Sequence, residues 1–239
     1  MNTTTAARGL GITMSAVALL LVGCGSDSST PSTPSAEASS SSSKSSKTTP
    51  PPSPSPSATA NADGDSPSLE DYFRDRGLTR TFARNGDPGA PQLNLPIPEG
   101  WQEVTSEDVP EEAWGAMVYG GGSEVGPDAP NIIVALSRLE GEVDQQELLD
   151  VTVNGVANID GFEAMGPPEP AALGGYEARH VAGTITDDAG VQNFGANAVV
   201  IPADGAVYLL QLTATGREDQ GDLLSSALDV IDEQTTITP

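Results

Sequence analysis

The hydrophobic and polar positions of this chain divide it into three parts. A largely apolar run covers residues 9–22, a tract of Ser, Thr, Pro and Ala follows to Ser66, and regular apolar periodicity begins only beyond it. The tract has almost no large apolar side chain to bury, so we expect it to be disordered. The pattern therefore predicts a leader over residues 1–23, a tether over 24–66 and one globular domain over 67–239.

Three stretches of the domain have the 3.6-residue period of an amphipathic helix. The first begins after Ser68, whose side chain can cap it, and ends at Gly77. The second begins at Asp144 with the capping-box pattern Asp-Gln-Gln-Glu. The third covers residues 218–231 and places leucines and an isoleucine on one face.

Apolar segments of strand length lie between these helices. They cover residues 78–83, 92–97, 113–119, 131–139, 176–186, 191–201 and 206–214. The links between the last three contain Asp and Gly and are too short for a parallel crossover, so the three strands form an antiparallel meander. The prolines at 96 and 98 indicate an edge position for the second segment. The pattern predicts an α+β fold, an antiparallel β-sheet with helices packed on it.

The charge of the domain excludes one class of partner. From Asn61 onward the chain has seven arginines, no lysine and 32 acidic residues, a formal charge of −25. Phosphate backbones need clustered cations, so nucleic acid is excluded, and anionic lipid headgroups are disfavoured at the domain surface. The acidity indicates solubility and self-repulsion, with a basic protein partner or loosely held cations as the alternative.

The end of the apolar run has the pattern of a bacterial lipoprotein signal. Leu21-Val22-Gly23-Cys24 places a small residue before the only cysteine of the chain, which the lipid transferase would modify. The run is shorter than the roughly 20 residues of a membrane-spanning helix, although an uncleaved anchor and a free thiol are the alternative interpretations. We expect a diacylglyceryl lipid on Cys24 to hold the protein at the extracytoplasmic face of the cell membrane.

No catalytic constellation stands out. His180 is the only histidine and is expected to be a half-buried strand residue with a hydrogen bond, since neither a nucleophile elbow nor a second cysteine accompanies it. The chain lacks the nitrogen and sulfur ligands of a zinc site, and the glycines at 120–122 lack the lysine of a phosphate loop. Adjacent acidic pairs occur, but we expect them to be solvated. The sequence predicts no cofactor and no metal.

Two tryptophans are the candidate ligand-binding residues. Trp101 and Trp114 flank an acidic, proline-containing segment over residues 103–112 that is expected to form a loop over the sheet. Tryptophan beside such a loop can line a binding groove, and simple core packing is the alternative. If they line a groove, titrating the ligand shifts the tryptophan fluorescence, and a flat response removes this candidate.

Several strings of this chain resemble the LpqN/LpqT family of lipoproteins from mycolate-making actinobacteria. They are the lipobox with its Ser/Thr/Pro tail, GDPG at 86–89, LPIP at 95–98 followed by Trp101, IVALSRL at 133–139 and VIDEQTTITP at 230–239. The resemblance covers the whole domain. It implies a Mog1/PsbP-like α/β/α sandwich and a non-enzymatic envelope role, either binding trehalose-based mycolate glycolipids or contacting the transporters and transferases that handle them. Cys24 is the only residue of this chain to which the resemblance assigns a function.

Three hypotheses of function follow. The first is a surface-tethered, non-catalytic module that holds the sugar and the proximal acyl chain of a glycolipid in an apolar groove with a few polar groups. The second is a subunit whose acidic face docks a protein partner without lipid contact. The third is an unrecognised hydrolase, which loss of turnover on His180→Ala would reveal.

Overall fold

The computed structural model describes residues 66–104, 109–121, 129–188, 190–203 and 205–239. The predicted signal, the lipid site at Cys24 and the tether up to residue 65 lie outside the described residues. No helix in the described ranges has both the length and the apolar character needed to cross a membrane.

The described part of the chain contains three α-helices, all at the predicted places: α1 (Leu69–Arg76), α2 (Gln145–Asn154) and α3 (Gly221–Gln234). The Ser68 hydroxyl accepts the backbone N–H of Asp71, and the Asp144 carboxylate accepts that of Glu147, so both predicted caps are present. Gly77 ends α1 at φ 64°, a conformation that favours glycine. The last α-helix begins at 221 rather than 218, because residues 218–220 form a 3₁₀ turn.

Within the described ranges, nine strands form one antiparallel sheet, and two short strands form a separate one. The large sheet has the order β3-β4-β5-β10-β9-β8-β6, with β1 pairing the second half of β5 and β7 the first half of β8. The predicted meander is its centre, formed by β8, β9 and β10. The eleven strands are β1 (Thr79–Phe82), β2 (Gln92–Asn94), β3 (Trp101–Glu103), β4 (Gly115–Tyr119), β5 (Asn131–Glu140), β6 (Phe162–Ala164), β7 (Glu169–Leu173), β8 (Tyr176–Asp187), β9 (Gly190–Ala203), β10 (Ala206–Arg217) and β11 (Thr236–Thr238).

Helices cover both faces of the large sheet. On one face α3 packs its buried Leu224, Ala227 and Ile231 against the side chains that include Val199 and Leu210. The alternate residues of the same strands point the other way, where Arg179 of β8 forms an ion pair with Asp150 of α2. Helix α1 lies beside α2, since Tyr72 Oη donates to the carbonyl of Asp144. The α+β sandwich is therefore confirmed.

Four strands are absent from the sequence prediction, namely β3, β6, β7 and β11. Three of them have only three residues and the fourth, β7, contains Pro170. Segments this short do not establish a period of two, so their strand character comes from the partner they pair with. The structure also corrects the edge position predicted for the segment that contains β2. This strand pairs with β11 and does not belong to the large sheet.

The strand β11 holds β2 against the α3 face. Leu93 and Ile237 lie opposite each other in the ladder, and both are buried in the α3-side core. The Ile237 side chain packs on Gly174, where an added Cβ would lie 2.5 Å from Ile237 Cγ1. Since Gly174 also has φ +58°, this position admits no larger residue without strain. The result is a segment over 92–97 that crosses the sheet on the α3 side, which we call the strap.

Candidate functional site

An apolar cavity lies between the strap and the strands at one end of the large sheet. Its walls are Leu93, Leu95 and Ile97 from the strap and Ala116 and Met117 from β4. The remaining lining residues are Asn94 of the strap, Glu103 of β3, Trp114 just before β4, Gly115 of β4 and Val134 of β5. Apolar side chains thus form most of the surface, with one amide and one carboxylate at their border.

The three apolar strap residues differ in exposure, which defines a floor and an opening. Leu93 is buried at 9% exposure and Leu95 is half-buried, whereas Ile97 is 53% exposed. Ile97 is one of three large apolar side chains left exposed among the described residues, with Met165 and Val191. An exposed isoleucine beside an apolar cavity marks the side from which an apolar ligand can enter.

The cavity is small. Its volume is about 140 Å³, less than the roughly 300–1,000 Å³ of sites that enclose a drug-sized ligand. A water occupies about 30 Å³ of liquid, so the cavity has room for about four or five groups of that size. It can take a few methylene groups or one ring, but a whole lipid exceeds it.

The structure separates the two candidate tryptophans. Trp114 is half-buried just before β4, where its backbone N–H donates to the Val134 carbonyl, and its side chain lines the cavity. Trp101 is 7% exposed at the start of β3 and packs edge-to-face on Tyr119, with ring centroids 5.9 Å apart. Trp101 does not belong to the residues that line the cavity. Of the segment expected to form a loop over the sheet, residues 105–108 lie outside the described ranges.

A second, polar groove adjoins the apolar cavity. It has a volume of about 520 Å³ and lies between the turn over residues 85–89 and the edge of the β2/β11 pair. The hydroxyl of Tyr208, which is 2% exposed, donates to the Gly89 carbonyl over 2.8 Å and ties this turn to the centre of the sheet. Because a core residue holds the turn, the groove has a defined wall.

The surroundings of His180 give it a structural role. His180 is half-buried in β8, and its Nδ1 donates to Oδ1 of Asn197, which is buried on the neighbouring strand. The Asn197 amide in turn donates to Asp232 Oδ1 of α3 over 3.2 Å. The chain of contacts links two strands to a helix, and no serine, threonine or cysteine belongs to it within the described part of the protein.

The carboxyl group of Asp232 has a raised pKa. Partial burial against the sheet is the main cause, although the residue as a whole is exposed, and the charge of Asp229 adds to it while His180 opposes it. The folded state therefore binds this proton more readily than the unfolded state does. As pH falls through the raised pKa toward 3.8, the ordinary pKa of an aspartate, protonation of Asp232 increasingly stabilises the folded state. This stabilisation is lost as pH rises through the raised pKa.

Asp232→Asn tests this linkage, because asparagine keeps an oxygen that accepts from Asn197. We expect the free energy of unfolding of the original chain, relative to that of the variant, to increase as pH falls from 7 to 4. Urea denaturation at several pH values measures it. Glu233→Gln on the same helix is the control for loss of a charge. A difference between the original chain and Asp232→Asn that stays constant with pH would contradict the assignment.

The acidic residues do not assemble into a metal site in the described ranges, where no group of three or more His, Cys, Asp or Glu side chains lies within ligating reach of one ion. Among the residues that the structure describes, six arginines form ion pairs with carboxylates, namely Arg74, Arg76, Arg80, Arg138, Arg179 and Arg217. The surplus of acidic side chains therefore leaves the surface strongly negative.

An antiparallel sheet between helices defines an α/β/α domain, with a small apolar cavity under the strap at one end of the sheet and a polar groove beside it. The sequence pattern of the family described as "Probable lipoprotein LpqN" matches residues 65–238. The chain belongs to this family of lipoproteins.

Individual proteins agree with the family assignment. Lipoprotein LpqN of Mycobacterium tuberculosis is 35% identical over 172 residues, which cover 72% of this chain and 74% of the relative. A crystal structure described as LpqN involved in cell envelope biogenesis of the same organism has 36% identity and a TM-score of 0.68, and the match covers 74% of this chain and all of that one. The names of these relatives indicate no enzymatic activity.

More distant solved structures include cyanobacterial PsbP from Synechocystis, with 16% identity, a TM-score of 0.44 and coverage of 67% of this chain and 92% of that one. The Ran-binding protein Mog1p of Saccharomyces cerevisiae has 14% identity and a TM-score of 0.36, with coverage of 66% and 95%.

Proposed function

We propose that this protein is a lipid-anchored, non-catalytic component of the cell envelope that binds the acyl part of a trehalose mycolate glycolipid in the Trp114 cavity. The observation that carries the proposal is the apolar cavity beneath the strap, open beside the exposed Ile97. A diacylglyceryl group on Cys24 holds the domain at the extracytoplasmic face of the membrane, and the tether over 24–66 sets its distance from that surface. The description of the related crystal structure, which names cell envelope biogenesis, supports this location.

The size of the cavity determines which part of the ligand is bound. A buried methylene contributes about 0.8 kcal/mol, so four or five of them contribute roughly 3–4 kcal/mol. Even before any cost of association this corresponds to a dissociation constant of about 1 mM or weaker, so the acyl contacts alone give at most weak, reversible binding. Such affinity suits a protein that receives and hands on a lipid, and the envelope transport or transferase proteins are the proposed partners in that exchange.

Non-catalytic binding agrees with the surroundings of the titratable groups. His180 is engaged with Asn197 on the α3 face and does not belong to the cavity lining. The single carboxylate of the cavity, Glu103, has no second acid beside it in that lining, whereas glycoside hydrolysis uses two. These contacts favour a binding role over the hydrolase alternative.

A fluorescence titration tests the proposal. The full chain carrying Cys24→Ser, which removes its own acyl groups, is combined with Trp101→Phe so that Trp114 is the only tryptophan. We expect a trehalose monoester with an octanoyl chain to shift the emission of Trp114 to shorter wavelength in a saturable way. Free trehalose is the control and leaves the emission unchanged, because it has no apolar chain. An unchanged spectrum with the ester would contradict acyl binding.

The second candidate is an acidic docking subunit, favoured by the charge of −25 on the part of the chain from Asn61 onward and by the pairing of most arginines. A basic protein would then bind with an affinity that falls as salt rises, because screening weakens contacts between exposed charges. Its binding would leave the emission of Trp114 unchanged, which distinguishes it from lipid binding.

A further inference from the structure

Strand β8 is fully covered on only one of its two faces. On the face that carries α2, its side chains Val181 and Ile185 are 3% and 6% exposed. Successive residues of a strand point to opposite faces, so His180, Ala182 and Thr184 lie on the face that carries α3. All three of these residues are only half-buried. The α3 face of the sheet is therefore left partly uncovered at β8.

The position of α3 explains why this part of the sheet is uncovered. A Cβ added at Gly195 of β9 would lie 3.4 Å from Leu228 of α3, and the Asn197 amide of the same strand donates to Asp232. The helix thus lies beside β8 and the edge strands β6 and β7, and does not cover them. Strands are spaced about 4.8 Å apart, so the second strand beyond β9 is roughly 10 Å away. Helices pack side by side at about this distance, so the uncovered face has the width of one more helix.

An exposed methionine lies at the outer border of this face. The β6/β8 ladder continues one residue beyond β6, because the Met165 N–H donates to the Ala182 carbonyl over 2.9 Å. Met165 is 69% exposed, the most exposed of the large apolar side chains in the described ranges. Its strand is packed closely on β8, since a Cβ added at Gly183 would lie 2.5 Å from the Phe162 ring. A methionine displayed on a fixed edge is typical of a surface that binds another protein.

Four carboxylates border the same face. Glu163 of β6 and Glu169 of β7 lie opposite Thr184 and His180 in the ladders, and partners in a ladder share one face of the sheet. Asp229 and Asp232 lie on the adjacent helix α3. Among the described residues, no arginine forms an ion pair with any of the four. The border of the face therefore has the charge that attracts lysine and arginine side chains.

The uncovered face, its methionine and its carboxylates together form a surface that we call the edge surface, made of Glu163, Met165, Glu169, Ala182, Asp229 and Asp232. We propose that the edge surface docks a basic, amphipathic helix of another protein. The apolar side of that helix packs on the methionine and the alanine, and its lysines or arginines lie beside the carboxylates. A second copy of this chain does not fit, because its negative charge would repel the border.

The edge surface and the apolar cavity lie at opposite ends of the large sheet. The strand order begins with β3 and β4, which line the cavity, and ends with β8 and β6. A partner can therefore dock while the cavity stays accessible. This inference goes beyond glycolipid binding and does not require it, and it gives the docking candidate a defined site.

A labelled peptide tests the apolar part of the edge surface. The probe is a synthetic amphipathic helix of leucine and lysine, about 18 residues long so that it can form a helix. It is titrated with the full chain carrying Cys24→Ser at low salt, and fluorescence anisotropy measures its binding. We expect Met165→Gln to lower the affinity about three- to tenfold, because it removes the apolar anchor. Met165→Leu keeps an apolar side chain and retains the affinity.

Paired charge variants test the acidic border. Glu163→Gln combined with Glu169→Gln is expected to lower the affinity for the peptide about three- to tenfold. Glu99→Gln combined with Glu142→Gln is the matched control, since it removes two exposed carboxylates away from the edge surface. We expect the control pair to bind the peptide with nearly the affinity of the original chain. Equal thermal midpoints show that the variants are folded.

Two outcomes would overturn the proposal. If Met165→Gln has no effect, or if the control pair weakens the peptide as much as the edge pair does, only the general negative charge of the domain holds the peptide. If sedimentation shows self-association of the chain that Met165→Gln abolishes, the occupant is a second copy instead of a basic partner. Neither outcome affects the glycolipid proposal, which the emission of Trp114 tests separately.

Discussion

Replacing Tyr208 by alanine is expected to lower the free energy of unfolding by about 3–5 kcal/mol, the range for removing a large aromatic side chain from a core. Tyr208 lies in the middle of the sheet on β10, is 2% exposed and belongs to the core packed under α3. Its loss leaves a cavity and also releases the Gly89 carbonyl, 119 residues away in the chain. Urea denaturation followed by circular dichroism measures the difference.

Tyr208→Phe separates packing from the hydrogen bond. The ring remains, so we expect a loss of only about 0.5–1.5 kcal/mol. A loss of less than about 1 kcal/mol in Tyr208→Ala would show that the core closes around the missing ring, contrary to the packing described above.

Replacing Trp114 by alanine is expected to weaken binding of the octanoyl trehalose ester by about tenfold to a hundredfold. Its half-buried side chain forms one wall of the apolar cavity. Burying 60–100 Å² of apolar surface against a ligand contributes roughly 1.5–2.5 kcal/mol, and each 1.4 kcal/mol is a factor of ten. Isothermal titration calorimetry measures the affinity without depending on the fluorescence of the residue that is removed.

Trp101→Phe is the matched control, because Trp101 packs on Tyr119 in the core and does not line the cavity. We expect it to bind the ester with the affinity of the original chain, at a modest cost in stability. Gly115→Val provides a gain of side-chain volume instead of a loss. Gly115 lies opposite Val134 in the ladder and lines the cavity, and a Cβ added there meets nothing within 4 Å, so the valine fills part of the 140 Å³ space and weakens the ester in the same way. Affinity that stays unchanged in both Trp114→Ala and Gly115→Val would mean that the chain binds elsewhere.

The long elements were predictable because their information is local. Ser68 and Asp144 act as caps for helices that follow them directly, and the Asp- and Gly-containing links of the meander select antiparallel pairing. The same rules do not apply to β3 or β11, which have three residues each and become strands only beside β4 and β2. For these strands the partner supplies the structure, and for β11 that partner lies near the other end of the domain sequence.

The candidate site likewise depends partly on local sequence and partly on contacts between distant residues. The sequence by itself determined the family, the acidic charge of the domain and the order of its helices and strands, and it identified the two tryptophans as candidate ligand-binding residues. The helices and strands could be predicted because caps and apolar periodicity act over a few neighbouring residues. Only the tertiary structure decided that Trp114 faces a cavity while Trp101 packs on Tyr119. That choice depends on the strap, which Ile237 holds by pairing with Leu93, and on the turn before the strap, which the Tyr208 hydroxyl holds at Gly89; both contacts join positions more than a hundred residues apart. Contacts between such distant residues arise from packing, and no local pattern encodes them.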